Sequence, residues 1–302
     1  MNFKVIFTML TLIVAGQCMA QQQAQFTQYL YNMLPLNPAY AGSQESMSVT
    51  ALAREQWTGI DGAPSTQTLS IHSPLPNKNV GVGLTLINDK IGVTNQTSIF
   101  GAYSYQLRVN EKAKLSMGIQ AGATFYNSDF ASIDTEDPLF TRNIKETRPN
   151  FGFGLYYYSD KYFVGVSAPQ LLEKPINGQD DSNQFSQARH YTAVGGYVFD
   201  INQSIKLKPT VLAKYVDGSP MQFDLSANAY FKEVIGLGLS WRSFDSFDVL
   251  AQLQLTDQLQ LGYAYDFFTT TDLAKVNSGS HEIMVNYRFS FSKTDIISPR
   301  YF

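Results

Sequence analysis

The chain is nearly without cysteine: one in 302 residues, Cys18. It lies in an N-terminal stretch that reads as a cleaved leader, so the mature protein is expected to hold no disulfide and do no thiol chemistry. Charge is scarce too. Asp, Glu, Lys and Arg make up 16% of the chain, against about a quarter in ordinary soluble domains. The net charge of −3 offers nucleic acid no basic surface. Histidines number only three, His72, His190 and His281, each isolated in sequence. Beyond the leader no run of 18 apolar residues occurs, which excludes a transmembrane helix.

The leader is "MNFKVIFTMLTLIVAGQCMA", residues 1–20. Lys4 supplies the positive start, Val5 to Ala15 a short apolar run, and Ala20 the cleavage site. Cys18 raises a lipidated alternative, but Gln17 stands where a lipobox has a small residue.

Aromatic residues are abundant, with 18 Tyr and 21 Phe, and they recur with period two. In "MQFDLSANAYF", Phe223, Leu225, Ala227, Ala229 and Phe231 share one face, while Gln222, Asp224, Ser226 and Asn228 share the other. "VIGLGLSWR" and "DVLAQLQLT" repeat the design. A soluble sandwich would carry charge on its outward face. Here the polar face is Gly, Ser, Gln and Asn, and the apolar face is long and aromatic, which suits a lipid exterior around a crowded polar lumen. The expected fold is all-β, a transmembrane antiparallel β-barrel of about 14 strands. The expected spans are 47–57, 65–72, 79–88, 95–108, 113–126, 149–158, 162–169, 190–199, 205–215, 221–231, 234–242, 247–255, 259–267 and 281–291. An even count brings both ends to the periplasmic side. The connections then sort by length. "SPLPNK", "VNEK", "SD", "DINQS", "KE" and "TDQ" fall on the periplasmic side, and the long connections 127–148, 170–189 and 268–279 fall outside. The domain reading is leader 1–20, N-terminal segment 21–45, barrel 46–291 and tail 292–302.

The N-terminal segment contains "QFTQYLYNMLPLNPAYAGSQ". Phe26, Tyr29, Leu30 and Met33 fall at helical spacing, and Pro35 and Pro38 end any helix. Fourteen strands enclose more space than barrel side chains fill. Asn37, Pro38, Ala39, Tyr40 and Gly42 therefore read as the turn of a plug folded into the lumen, with a periplasmic lead-in as the alternative.

Several strings resemble the PorP/SprF family, outer-membrane proteins of the type IX secretion system in Bacteroidetes: "FTQYLYNMLPLNPAYAGS", "REQWTGIDGAPSTQTLSIHSPL", "VGVGLTLINDKIG", "DPLF" and "PRYF". The resemblance covers most of the mature chain. It implies a barrel that partners secreted cargo or large adhesins, with links to gliding motility and to periplasmic ring or peptidoglycan-binding components. The residues themselves point to a barrel in outer-membrane lipid and not to export.

In "REQW", Arg54 is expected to point into the lumen, since a lipid-facing Arg costs about 2–4 kcal/mol at mid-membrane, and Trp57 suits an interfacial girdle. Asn88, Asp89 and Gly92 read as a tight external turn. In "DPLF", Leu139 and Phe140 are an apolar pair in a polar loop, fit either to anchor a partner or to tuck into the barrel mouth. "GVSAP" at 165–169 lacks the second glycine of a nucleophile elbow. A lipase-like pairing of His190 with a serine is the enzymatic alternative. "DTEDP" and "GQDDSN" lack the spacing of a calcium loop. The chain is therefore expected to be no enzyme and to need no cofactor or metal. Assisting export or surface anchoring is the first reading. A diffusion channel or hydrophobic-substrate transporter is the second.

Overall fold

The structure, a computed structural model, describes residues 25–44, 46–76, 79–132, 143–172, 174–175, 186–187, 189–217, 219–268 and 277–289. Fourteen strands of eight residues or more form the wall. They are β1 Met47–Glu55, β2 Ser65–Pro74, β3 Val80–Ile91, β4 Thr94–Arg108, β5 Ala113–Ser128, β6 Ile144–Ser159 and β7 Tyr162–Gln170. There follow β8 His190–Tyr197, β9 Ile205–Val216, β10 Gln222–Phe231, β11 Ile235–Arg242, β12 Ser246–Gln254, β13 Leu259–Phe268 and β14 Ser280–Phe289. Each pairs antiparallel with its neighbours in sequence, and β1 pairs with β14, from Met47 opposite Phe289 to Glu55 opposite His281. The sheet is thus a closed cylinder with no open edge through its middle, the form in which strands satisfy every backbone group inside lipid. Among the described residues no helix is long and apolar enough to cross a membrane.

Side-chain phase follows the pleat. Phe223, Leu225, Leu237, Leu239, Val249, Tyr263 and Ile283 face out, and Leu239 is 66% exposed. Asp224, Ser226, Asn228, Ser240, Asp248, Asp266 and Glu282 face in and are buried. This is an apolar exterior around a polar interior.

The wall departs from its expected outline in places. β1 stops at Glu55, and Trp57 lies in the β1–β2 connection with φ of 49°. β3 runs on to Ile91, so Asn88 and Asp89 sit in the ladder and the turn is made at Gly92, φ 55°. β6 begins at Ile144, ahead of the expected 149. Lys232 and Glu233, φ 50° and 61°, are the central pair of the turn in the three-residue connection 232–234 of β10 and β11, closed by the Val234 N–H donating to the Phe231 carbonyl at 3.0 Å; two left-handed residues match the strand twist. Two short pairings lie outside the main strands: Lys174–Pro175 with Ser186–Gln187, and Phe199–Asp200 with β9. The leader, the tail, Leu139 and Phe140 lie outside the described residues.

Candidate functional site in the barrel lumen

Residues 25–44 lie among the inward-facing side chains. Phe26, Tyr29, Leu30, Met33, Leu34, Ala39, Tyr40 and Ala41 form one buried cluster with Leu52, Tyr156, Phe163, Leu212 and Tyr230 of the wall. The segment makes two short 3-10 turns, Tyr29–Tyr31 and Pro38–Tyr40. Asn37 and Pro38 explain the second. Asn37 Oδ1 accepts from the Ala39 N–H at 2.9 Å, capping a turn whose first residue, Pro38, has no N–H to satisfy. Asn37 Nδ2 donates to the Leu155 carbonyl at 3.0 Å, tying the turn to β6.

The small residues of this string set how close the wall can come. A Cβ at Gly118 would stand 2.2 Å from Ala39 N, and one at Gly81 would stand 2.1 Å from Ala41 O. Tyr40 lies edge-on to His72 and Tyr156, at 5.2 and 5.6 Å between ring centroids. Gly42, φ 65°, donates its N–H to His72 Nδ1 at 3.3 Å. Its carbonyl accepts from Gln106 Nε2 at 2.7 Å, and the Ala41 carbonyl accepts from Ser104 Oγ at 2.6 Å.

The start of the segment meets a buried charge cluster. The Arg54 guanidinium pairs with Asp266 at 2.6 Å and Glu282 at 3.2 Å, all three side chains at most 1% exposed. Glu282 also accepts the backbone N–H groups of Thr27 and Gln28, at 2.9 and 2.7 Å. Thr27 Oγ1 donates to Asp266 at 2.9 Å and accepts from Arg54 at 3.0 Å. Beside it, Arg242 and Lys214 each approach Asp224 at 3.3 Å, and Arg242 donates to the Phe26 carbonyl at 3.5 Å. Lower down, the Tyr31 and Tyr230 hydroxyls bond at 2.5 Å, and the Lys208 ammonium sits 5.0 and 5.5 Å from their rings.

These contacts fix the segment's course. Thr27 and Gln28 touch Glu282 and Asp266, near the strand ends at Ser280 and Phe268. That end of the cylinder carries the β5–β6, β7–β8 and β13–β14 connections. Ala41 and Gly42 touch Ser104, Gln106 and His72, toward the opposite end, where the chain passes into β1. A cavity of about 50 Å³ remains beside the entry, lined by Phe26, Tyr29 and Leu36 of the segment and by apolar Leu212 and Val216 and polar His190, Thr192 and Lys214 of the wall.

Of the residues singled out in the sequence, Asn37, Pro38, Ala39, Tyr40, Gly42 and Arg54 thus sit inside the cylinder. Trp57 does not join them: its backbone N–H donates to Ser280 Oγ at 3.2 Å in the rim. Asp224, Arg242, Asp266 and Glu282 were not singled out. Their signal was charge on the inward phase near strand ends. Ser167, the serine of "GVSAP", donates to the Leu36 carbonyl at 2.6 Å. His281 bonds the Tyr263 hydroxyl at 2.7 Å.

Comparison with known proteins follows the same lines. A family model described as type IX secretion system membrane protein PorP/SprF matches residues 18–287. Among solved structures, the CymD monoaromatic hydrocarbon channel superposes with TM-score 0.53 at 13% identity, covering 88% of this chain and 93% of that one. The outer membrane protein Omp33 of Acinetobacter baumannii gives TM-score 0.46 at 11% identity, covering 82% of this chain and 100% of that one. No curated protein matches significantly.

Proposed function

Because the chain belongs to the type IX secretion system membrane protein PorP/SprF family, we propose that this outer-membrane barrel is a plugged, non-enzymatic docking component that holds an exported protein at the cell surface. The observation that supports this is the course of residues 25–44 among the inward-facing side chains. Residues 25–44 are anchored at both ends of the cylinder by buried hydrogen bonds and support a closed barrel more than an open pore. The long connections at one end supply the surface a protein partner needs, since a stable interface buries about 1,200–2,000 Å². Leu139 and Phe140 are the apolar anchor proposed within the β5–β6 connection. Secreted cargo or an adhesin is the partner, with periplasmic ring or peptidoglycan-binding components on the opposite side.

Planar-bilayer conductance tests the plug. The wild-type barrel is expected to be electrically silent, and deletion of residues 25–43 to open an ion-conducting pore. A wild type that conducts steadily overturns the plug. Cargo retention after Leu139→Ala with Phe140→Ala tests the anchor: loss of cargo with an intact barrel supports it, and loss of the barrel assigns the pair to the mouth.

The second reading is passage of small hydrophobic molecules. The cavity between the segment and β8–β10, with Phe26, Leu36, Leu212 and Val216 in its lining, supports it, and the solved neighbour CymD is a monoaromatic hydrocarbon channel. Uptake of a small aromatic into liposomes, dependent on this protein, separates it from the first.

A further inference from the structure

Strand β6 rises past its neighbour. It pairs with β5 along its whole length, from Ile144 opposite Ser128 to Ser159 opposite Ala113. With β7 it pairs only from Phe153 opposite Ala168 to Tyr158 opposite Phe163. Just above, the Leu171 N–H donates to the Phe151 carbonyl at 3.0 Å, and Asn150 Oδ1 accepts from the Leu171 and Leu172 N–H groups at 2.9 Å each. Beyond these bonds, residues 144–149 have no strand partner on the β7 side among the described residues.

The ladder dictates which groups face that side. In an antiparallel strand the N–H and C=O of one residue point the same way, and successive residues alternate. The Phe151 carbonyl faces β7, so Lys145, Thr147 and Pro149 present their backbone groups in the same direction. Pro149 has no N–H to leave unpaired, which is where an edge tolerates proline. Lys145 and Thr147 are exposed. The edge is also stiff. The Arg148 guanidinium lies 4.7 Å over the Tyr126 ring of β5 and pairs with Glu146 at 3.0 Å, which holds the inward face in place before any partner arrives.

We infer that this edge receives an extended peptide of the exported protein as an added strand. The inference rests on the docking reading above and names its contact. The edge offers two donors and three acceptors, from Lys145, Thr147 and Pro149, over a span of about 13 Å. That suits main-chain recognition, in which the ladder supplies affinity and alternate side chains supply selection. The plainer view is that Lys145 and Pro149 only guard a strand end against self-association. Such a guard predicts no bound peptide.

The test uses the full-length barrel in detergent. Exported proteins that co-purify with the wild type are tiled as capped peptides of about 12 residues, and these peptides are the probe. One of them is expected to bind the wild type and to lose about tenfold or more in affinity to Lys145→Pro with Thr147→Pro. That variant removes the two outward N–H groups and leaves those facing β5. Heat-modifiable mobility on gels checks that the variant barrel is folded. A second arm needs no variant: N-methylation of the peptide at alternate amides is expected to abolish binding in one phase and spare it in the other. Equal binding in both phases, or peptides that bind the proline variant as tightly as the wild type, overturns the edge and leaves the docking reading standing. A wild type that pairs with itself through this edge, and a variant that is monomeric, overturns the peptide in favour of a second copy. A wild type that retains no exported protein overturns the docking reading and this inference together.

Discussion

At the scale of single residues, Arg54 is the sharpest case. Its guanidinium serves two carboxylates and Thr27 in a space with almost no solvent access. Removing one partner from a buried ion cluster leaves the others uncompensated, at about 3–5 kcal/mol. Arg54→Ala is therefore expected to lower the urea midpoint of the folded barrel, read from the gel mobility shift. Adding Glu282→Gln and Asp266→Asn is expected to recover part of that loss. If the triple variant is no more stable than Arg54→Ala, the cluster is not a coupled unit. The lumenal direction of Arg54 was legible because lipid excludes the alternative. Its partners were not, because Asp266 and Glu282 lie more than two hundred residues away in sequence and meet Arg54 only when β1 closes on β14.

At the scale of elements, the alternating faces of β10 to β14 could be read directly, since lipid outside and polar groups inside enforce a strict period of two. Leu239→Arg, on that outward face, is expected to destabilise insertion by about 2–4 kcal/mol if it sits near mid-membrane, measured by folding into vesicles, while Ser240→Arg on the inward face would perturb lumen contacts instead. The upper part of β6 was not legible. "IKETRP" carries polar residues on both phases and a proline, which reads as loop, yet the strand forms because β5 supplies a complete ladder on one side. The course of residues 25–44 was also beyond the sequence. An apolar stripe and two prolines fit a lead-in as well as a plug, and the residues this segment packs closest to, Gly81 and Gly118, look like ordinary strand glycines. Gly118→Val would drive a side chain into the Ala39 backbone, closer than any Cβ contact allows. We expect it to dislodge the Pro38–Tyr40 turn and give channel openings in a bilayer that Gly101→Ala, where the nearest atom is 4.0 Å away, does not.

At the scale of the whole molecule, the cylinder is closed by its first and last strands. A closed wall with an apolar belt predicts recovery in the outer-membrane fraction, strand-dominated circular dichroism, and a gel band that shifts on boiling. The segment 25–44 lies through this cylinder as a cord lies through a hoop. A hoop already welded admits a cord only if the free end is drawn through it. Pairing of β14 with β1 is that weld, and we expect the cord to be laid across the growing sheet first, with the last strand sealing it in. A bulky folded domain fused ahead of Gln25 could not be drawn through a finished ring of this width, yet should not prevent closure around a cord already in place. Such a fusion is expected to fold with its segment enclosed and its conductance silent. A closed but conducting fusion would mean the ring forms first.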